Sequence, residues 1–259
     1  MSKTNLTDIT FLIPIRIDSN SRLINLNLVT EFIKKNFNTT ILVLEANKSE
    51  QVQHPLIDRK FFVKDDNPIF HRTKYLNKLI KESNTDLIAV WDADVLVDCS
   101  QIIEAESMLC HEKMEVVFPY DGHFYKVPEM IRSIYKERRD FDIFVKNQQK
   151  FLLYYWQHFY GGAFIVNRKA YIEGGMENEN FYGWGPEDEE RVKRWEILGF
   201  KIKRVNGPMY HLDHPRINSW FASKEIEIQN RNEFRKICEM NKDQLIAYIN
   251  TFEWCKFSK

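Results

Sequence analysis

An α/β fold built on a mostly parallel central sheet flanked by helices is what this sequence predicts, and three observations carry the prediction. Short apolar runs of β character alternate with segments of helical period through the first half of the chain. The stretch DLIAVWDADVLV is almost continuously apolar, the pattern of a strand covered on both faces. A chain of 259 residues that is 44% hydrophobic is also long and apolar enough to bury a large core.

Taken in order, TFLIPI (10–15) reads as the first strand, and SRLINLNLVTEFIKKNF follows with helical spacing. TTILVLEA (39–46) is a second strand. RTKYLNKLIKES (72–83) is amphipathic, with Tyr75, Leu76, Leu79 and Ile80 on one face. The run at 86–97 is the buried strand, QIIEAESMLCHEK a helix, and EVVFPYD (115–121) a further strand. Residues 127–158 mix helical signals with charge and aromatics, and FLLYYWQHF within them reads as core in preference to a surface for a lipid-linked acceptor. GGAFIVNRKAYIEGG reads as a strand, a helical turn and a glycine stop. PEDEERVKRWEILGF is a helix, KIKRV a strand, and about the last 40 residues are helical. No repeat, linker or low-complexity tract divides the chain, so the reading is one domain over 1–259.

Composition removes several classes of function. The chain has 37 basic and 37 acidic side chains, which leaves no electrostatic footprint for nucleic acid or for an anionic membrane. The apolar run near the start, FLIPI, is far shorter than the roughly 18 residues a membrane span requires, and no signal-peptide pattern precedes it. Cys99, Cys110, Cys238 and Cys255 form no CxxC pair, so a zinc knuckle or disulfide framework is not indicated and a reducing, cytoplasmic setting is expected.

Two clusters carry chemistry. Asp92 and Asp94, two apart at the end of an apolar strand, would point the same way on extended backbone and repel each other unless a cation lay between them. A hard divalent ion, Mn²⁺ or Mg²⁺, would relieve the repulsion and hold a diphosphate. GPMYHLDHPR offers His211 and His214 as further ligands, and histidine beside carboxylate favours Mn²⁺ over Mg²⁺. The second cluster is FYGWGPEDEERVKR (181–194). Pro186 suits the first turn of a helix, and the helix dipole accounts for Glu187, Asp188, Glu189 and Glu190 behind it. It does not account for the aromatics and glycines in front, which suit a backbone bend and a flat face for a sugar ring, with an acid placed to take a hydroxyl proton.

The passage YGGAFIVNRKAYIEGGMENENFYGWGPEDEERVKRWEILGF resembles the core of the β-1,4-galactosyltransferase family and its bacterial chondroitin-polymerase-like relatives. IPIR, FHRTKYLN and WDAD resemble, in the same order, three earlier motifs of that family, so the likeness runs over about residues 10–216. The resemblance implies a GT-A fold and an inverting, metal-dependent transfer of a hexose or hexosamine from a UDP-sugar to a hydroxyl of a glycan or lipid-linked glycan. It implies Pro14 and Arg16 at the UDP, Arg72 and Phe70 near the uracil, and Asp92 near the nucleotide-sugar. Asp94 with His211 or His214 would hold Mn²⁺, with Mg²⁺ the alternative. Tyr160, Gly161, Gly162 and Trp184 would shape the sugar pocket, with Glu187 and Asp188 facing the acceptor and Asp188 the general base. About 1–125 would bind the nucleotide-sugar, and about 126–259, with its helical C-terminus, the acceptor. The expected setting is synthesis of a bacterial surface polysaccharide in the cytoplasm, at the inner face of the membrane, with peripheral membrane association. The sequence departs from the family at Pro186, where a second glycine is usual, and at Met209, two rather than three residues before His211. Two rivals stand beside this reading. A non-catalytic glycan- or nucleotide-sugar-binding module would be expected to have lost the carboxylates, which are present. A sugar-phosphate nucleotidyltransferase would need a glycine-rich loop after the first strand, and PIRIDSNSR has no glycine.

Overall fold

The computed structural model describes residues 3–155, 159–183, 185–215 and 223–256. Its first strand, β1 (Thr4–Ile15), begins six residues before the predicted TFLIPI, and its last seven residues are all buried. Helix α1 (Asn20–Asn36) starts at Ser19, whose hydroxyl caps Arg22 N–H, and lays Leu26, Leu28, Val29, Phe32 and Ile33 into the core. Next come β2 (Phe37–Asn47), β3 (Arg59–Lys64) and α2 (Arg72–Glu82), which buries the predicted Tyr75, Leu76, Leu79 and Ile80. β3 escaped the sequence reading because RKFFVK is half charged and lies at a sheet edge, with only alternate residues partly covered.

The apolar run at 86–97 divides. β4 (Leu87–Trp91) is buried throughout, the chain turns at Ala93 and Asp94, and β5 (Val95–Leu96) leaves for a second sheet. α3 (Cys99–His111) has a capping box between Asp98 and Gln101. β6 (Val116–Phe118) stops before Pro119, which has no N–H to continue a ladder. β7 (Phe124–Val127), α4 (Glu129–Arg138), α5 (Asp142–Asn147) and β8 (Leu152–Tyr155) make up the mixed region, followed by β9 (Ala163–Asn167) and α6 (Arg168–Glu173). α7 (Glu187–Leu198), β10 (Ile202–Arg204), β11 (Met209–Leu212), α8 (Lys224–Cys238) and α9 (Lys242–Ile249) complete the chain.

The main sheet runs β10-β6-β9-β4-β1-β2-β3. β1, β2, β3 and β4 pair in parallel, as do β6 and β10, while β9 runs antiparallel to both β4 and β6. The sheet is thus mostly parallel, with one reversed strand at its middle, and it draws strands from both sides of residue 125. A smaller sheet, β5-β11-β7-β8, packs beyond the carboxyl end of β4. That end, where the chain passes from one sheet to the other, is the crevice position at which α/β sheets bind ligands.

One expectation is overturned here. In FLLYYWQHF, Phe151 is buried, but Leu152, Leu153, Tyr154 and Tyr155 are all exposed on edge strand β8. Apolar composition marked a core segment, yet β8 pairs only with β7 and nothing described covers its outer side. Residues 156–158 of this run lie outside the described residues.

Candidate active site

The WDAD turn organises the site. Asp92 N–H donates to Gly162 O (2.8 Å) as β4 ends, and Trp91 Nε1–H reaches across the turn to Val95 O (3.1 Å). The fully buried indole therefore pins a tight bend where the sequence suggested extended backbone. The two carboxylates accordingly face different side chains.

Asp94, 4% exposed, faces His214 Nε2 at 3.1 Å, His211 Nε2 at 3.6 Å and Arg22 Nη1 at 3.5 Å. Burial pushes its carboxyl up, but His211, His214 and Arg22 outweigh burial and hold it well below the usual carboxylate range. β11 aligns His211 opposite Val95 of β5, which brings the histidine to the turn. One ligand atom from each of Asp94, His211 and His214 lies within 4.8 Å of the others. One oxygen and two imidazole donors converging on a buried point fit a manganese-type ion. Both histidines also line a cavity of about 470 Å³, with Phe124, Lys126, Arg132 and Tyr154 on its other walls. Met209 is fully buried, and its methyl group fills the space beside Gly162, where a Cβ would lie 2.5 Å from it.

Asp92 turns instead to Arg72, whose Nη2 donates to Oδ1 at 2.7 Å. α2 carries Arg72 in its first turn and is fastened to the segment before α7 by Thr73 (to Phe181 O, 3.1 Å) and Asn77 (to Glu177 O, 2.9 Å). Burial works against the Arg72 charge, but Asp92, Asp188 and Glu177 outweigh it and raise its pKa. Arg72 Nη1 is buried with no hydrogen-bond partner among the described residues, a donor available to a bound anion or hydroxyl.

The acids of FYGWGPEDEER have separate roles. Glu190 is buried and pairs with Arg194 Nε at 2.7 Å. Asp188 Oδ1 pairs with Arg191 Nη2 at 2.5 Å, and Arg191 Nη1 is held by buried Glu177 at 2.8 Å. Burial raises the Asp188 carboxyl, but Arg191 and Arg72 outweigh burial and keep it below its ordinary value. Glu187 goes the other way, raised by burial and by Asp188 beside it, and its Oε2 accepts from Gly185 N–H (3.0 Å) at the helix start. Asp188 Oδ2 faces Gly161, where a Cβ would lie only 2.7 Å away, so glycine is what lets this carboxylate approach the backbone. Gly162 has φ +88°, and its carbonyl receives Asp92 N–H. The glycine pair thus sits between the aspartate turn and the acidic helix.

Pro14 lies buried in β1 opposite Leu44, beyond Leu12, the last residue of β1 in register with β4. Arg16, just past the strand end, donates to Ala46 O (3.1 Å) and Asn67 O (2.7 Å), pairs with Asp65, and stands 5.4 Å over the Phe70 ring. Phe70 packs on Tyr75 (5.3 Å), whose hydroxyl also bonds Asp65 at 2.6 Å. Arg72, expected near the uracil beside Phe70, is bonded to Asp92 among the carboxylates. Tyr160 is covered by Arg204 (4.9 Å to the ring) and packs on Phe118 (5.6 Å). Trp184 lies outside the described residues.

Sequence reasoning missed Arg22, Asp65, Tyr75 and Arg191. Arg22 had a faint signal, a cation in the first turn of a helix, where the dipole disfavours it. Arg191 was hidden in the charged run behind Pro186, where only the acids entered the sequence reading.

A family model described as the N-terminal domain of galactosyltransferase matches residues 143–215, which include Gly161, Gly162, Glu187, Asp188, His211 and His214. The β-1,4-galactosyltransferase 7 of Mus musculus and that of Homo sapiens are each 25% identical over 177 residues, 64% of this chain and 43% of theirs, so the chain spans less than half the length of these relatives. The catalytic domain of Drosophila β-1,4-galactosyltransferase 7, solved with xylobiose, superposes over 98% of this chain and 100% of its own with a TM-score of 0.53 at 18% identity. A mutant of that enzyme with manganese, UDP-Gal and xylobiose covers 86% of this chain and 79% of its own, with a TM-score of 0.51 at 18% identity. S. aureus TarS 1–349, in complex with UDP-GlcNAc, covers 95% and 72% with a TM-score of 0.58 at 11% identity. The fold is thus of the GT-A type, and within it residues 143–215 are similar to the galactosyltransferase domain.

Proposed function

We propose that the chain is an inverting, metal-dependent glycosyltransferase that moves a hexose or hexosamine from a UDP-sugar to a hydroxyl of a glycan acceptor. The observation that carries this is the chain of contacts from Asp94 and its two histidines to the Asp92–Arg72 pair, with Asp188 acting on the Arg72 charge, which supports a cation site and a base in one crevice. The complexes of the structural neighbours with manganese, UDP-Gal, UDP-GlcNAc and xylobiose support the same donor and acceptor classes.

In this reading Asp94, His211 and His214 hold Mn²⁺, which when bound supplies positive charge to the leaving diphosphate. Arg16 and Phe70, past the end of β1, take the nucleoside. Arg72, with its unpartnered nitrogen, binds the donor. Asp188 takes the proton from the acceptor hydroxyl as that oxygen attacks the anomeric carbon. Its Oδ1 is anchored by Arg191, which leaves Oδ2, beside Gly161, as the proton acceptor. Residues up to about 125 would serve the donor and the remainder the acceptor. Setting the chain in bacterial surface-polysaccharide synthesis at the inner face of the membrane rests on the resemblance to bacterial polymerase-like enzymes. The exposed Leu152–Tyr155 strand, whose Tyr154 lines the cavity, favours an acceptor with an apolar, lipid-like part.

The test is UDP release from a panel of UDP-sugars, with and without Mn²⁺ and acceptor glycans. Asp188→Asn is expected to lower transfer by about 10²–10⁴-fold while UDP binding stays near wild type. Wild-type transfer by that variant would remove Asp188 as the base.

A further inference from the structure

Arg22 is an odd residue to find where it stands. It occupies the first turn of α1, at the positive end of a helix dipole, and is only 8% exposed, so burial and dipole both oppose its charge. Two carboxylates compensate: Asp18 Oδ1 lies 3.2 Å from its Nε, and Asp94 Oδ2 lies 3.5 Å from its Nη1. Asp94 is the anionic member of the candidate metal cluster, and the same Oδ2 faces His214 Nε2 at 3.1 Å. A guanidinium therefore shares the carboxylate that a divalent ion would take.

From this juxtaposition we propose that Arg22 makes divalent-cation binding and nucleotide-diphosphate binding depend on each other. The inference rests on the metal-site reading above and goes beyond it. Without the ion, the guanidinium neutralises Asp94 and holds the aspartate turn together. With an ion bound, one carboxylate and two neutral imidazoles would leave its charge partly uncompensated, and Arg22 would keep Asp18 while losing Asp94 as a partner. A diphosphate anion removes that excess. It accepts from the guanidinium that the ion has turned away from Asp94, so each ligand strengthens the other by the same factor. Arg22 is thus a positioning residue, paired with Asp94 in one state and with the diphosphate in the other.

The test is a linkage measurement. Mn²⁺ is titrated into the protein by electron paramagnetic resonance with and without saturating UDP, and UDP by calorimetry with and without Mn²⁺. In the wild type, UDP should tighten Mn²⁺ by a factor within about 5–150-fold. Arg22→Gln should bind Mn²⁺ alone more tightly than wild type, while the coupling factor falls towards one and UDP binds more weakly at saturating Mn²⁺. Arg22→Lys, which keeps the charge without the fork, should lie between. Retained coupling in Arg22→Gln overturns the proposal, and so does uniform weakening of both ligands together with a lowered melting temperature, which would mark a purely structural role. Asp94→Asn separates the two levels of argument. If it leaves Mn²⁺ binding unchanged, the metal-site assignment itself fails.

Discussion

Asp188 and the two glycines beside it set what single residues contribute. Because Arg191 and Arg72 keep the Asp188 carboxyl below its ordinary value, it stays ionised as pH falls, and is protonated only below the usual aspartate pKa of about 3.9. Loss of transfer between pH 7 and 5 should therefore come from weakened metal binding, which is pH-dependent, and not from this carboxylate. Raising Mn²⁺ should restore the lost rate; a loss near pH 6 that saturating Mn²⁺ does not relieve would point to another base. Gly161→Ala would place a Cβ 2.7 Å from Asp188 Oδ2 and 2.8 Å from the Phe159 ring. A shift of the proposed base by about 1 Å can reduce rate by about 10²-fold, so this variant should lose kcat while the KM for the UDP-sugar changes little. These roles were partly legible in the sequence. Gly-Gly and the acid run were both visible, but the approach of residue 161 to residue 188 needed the fold to bring β9 and α7 together.

At the scale of elements, α7 carries two buried ion pairs, Glu190–Arg194 within the helix and Glu177–Arg191 to the segment before it. Replacing Arg191 with Met leaves Glu177 buried and uncompensated. This should destabilise the protein by about 3–5 kcal/mol, measured by urea unfolding, because a broken buried pair strands its partner charge. β8 makes the opposite case. Leu152 is 62% exposed, so Leu152→Ser should change stability by no more than about 0.5 kcal/mol, whereas a core leucine would cost several. A loss of that larger size would show that the strand is covered in solution. The run FLLYYWQHF could not announce this, because composition does not say whether a strand ends inside a sheet or at its edge.

Across the whole molecule, the main sheet and the small sheet meet at the WDAD turn, and the C-terminal helices brace the site from behind. Asn230 of α8 exchanges hydrogen bonds with the Tyr182 backbone, donating to its carbonyl at 3.0 Å and accepting from its N–H at 3.3 Å, and its side chain lies where a Cβ on Gly185 would sit. Asn230→Ala should loosen the backbone at Tyr182 and Gly185, seen as faster amide exchange at those residues, and weaken acceptor binding more than UDP binding. No helix among the described residues is long and apolar enough to cross a membrane. All four cysteines are free, and the Cys110 thiol is pushed up to about 12 by burial and by Glu106 and Asp8, so alkylation of this exposed residue at pH 8 should be much slower than for an ordinary thiol.

The pattern of residues was enough for the mostly parallel sheet, the helices at 72–82 and 187–198, and the presence of the carboxylate and histidine motifs. All of these are local signals: apolar period, caps, and the spacing of charges along one segment. The assembled fold settled which partner each charge receives. Asp94 meets His211, His214 and Arg22, while Asp92 meets Arg72, because Trp91 bends the chain between them and β11 returns from more than a hundred residues away. Such pairings depend on contacts distant in sequence, and an electrostatic environment is a property of what surrounds a group in space, which no reading along the chain contains.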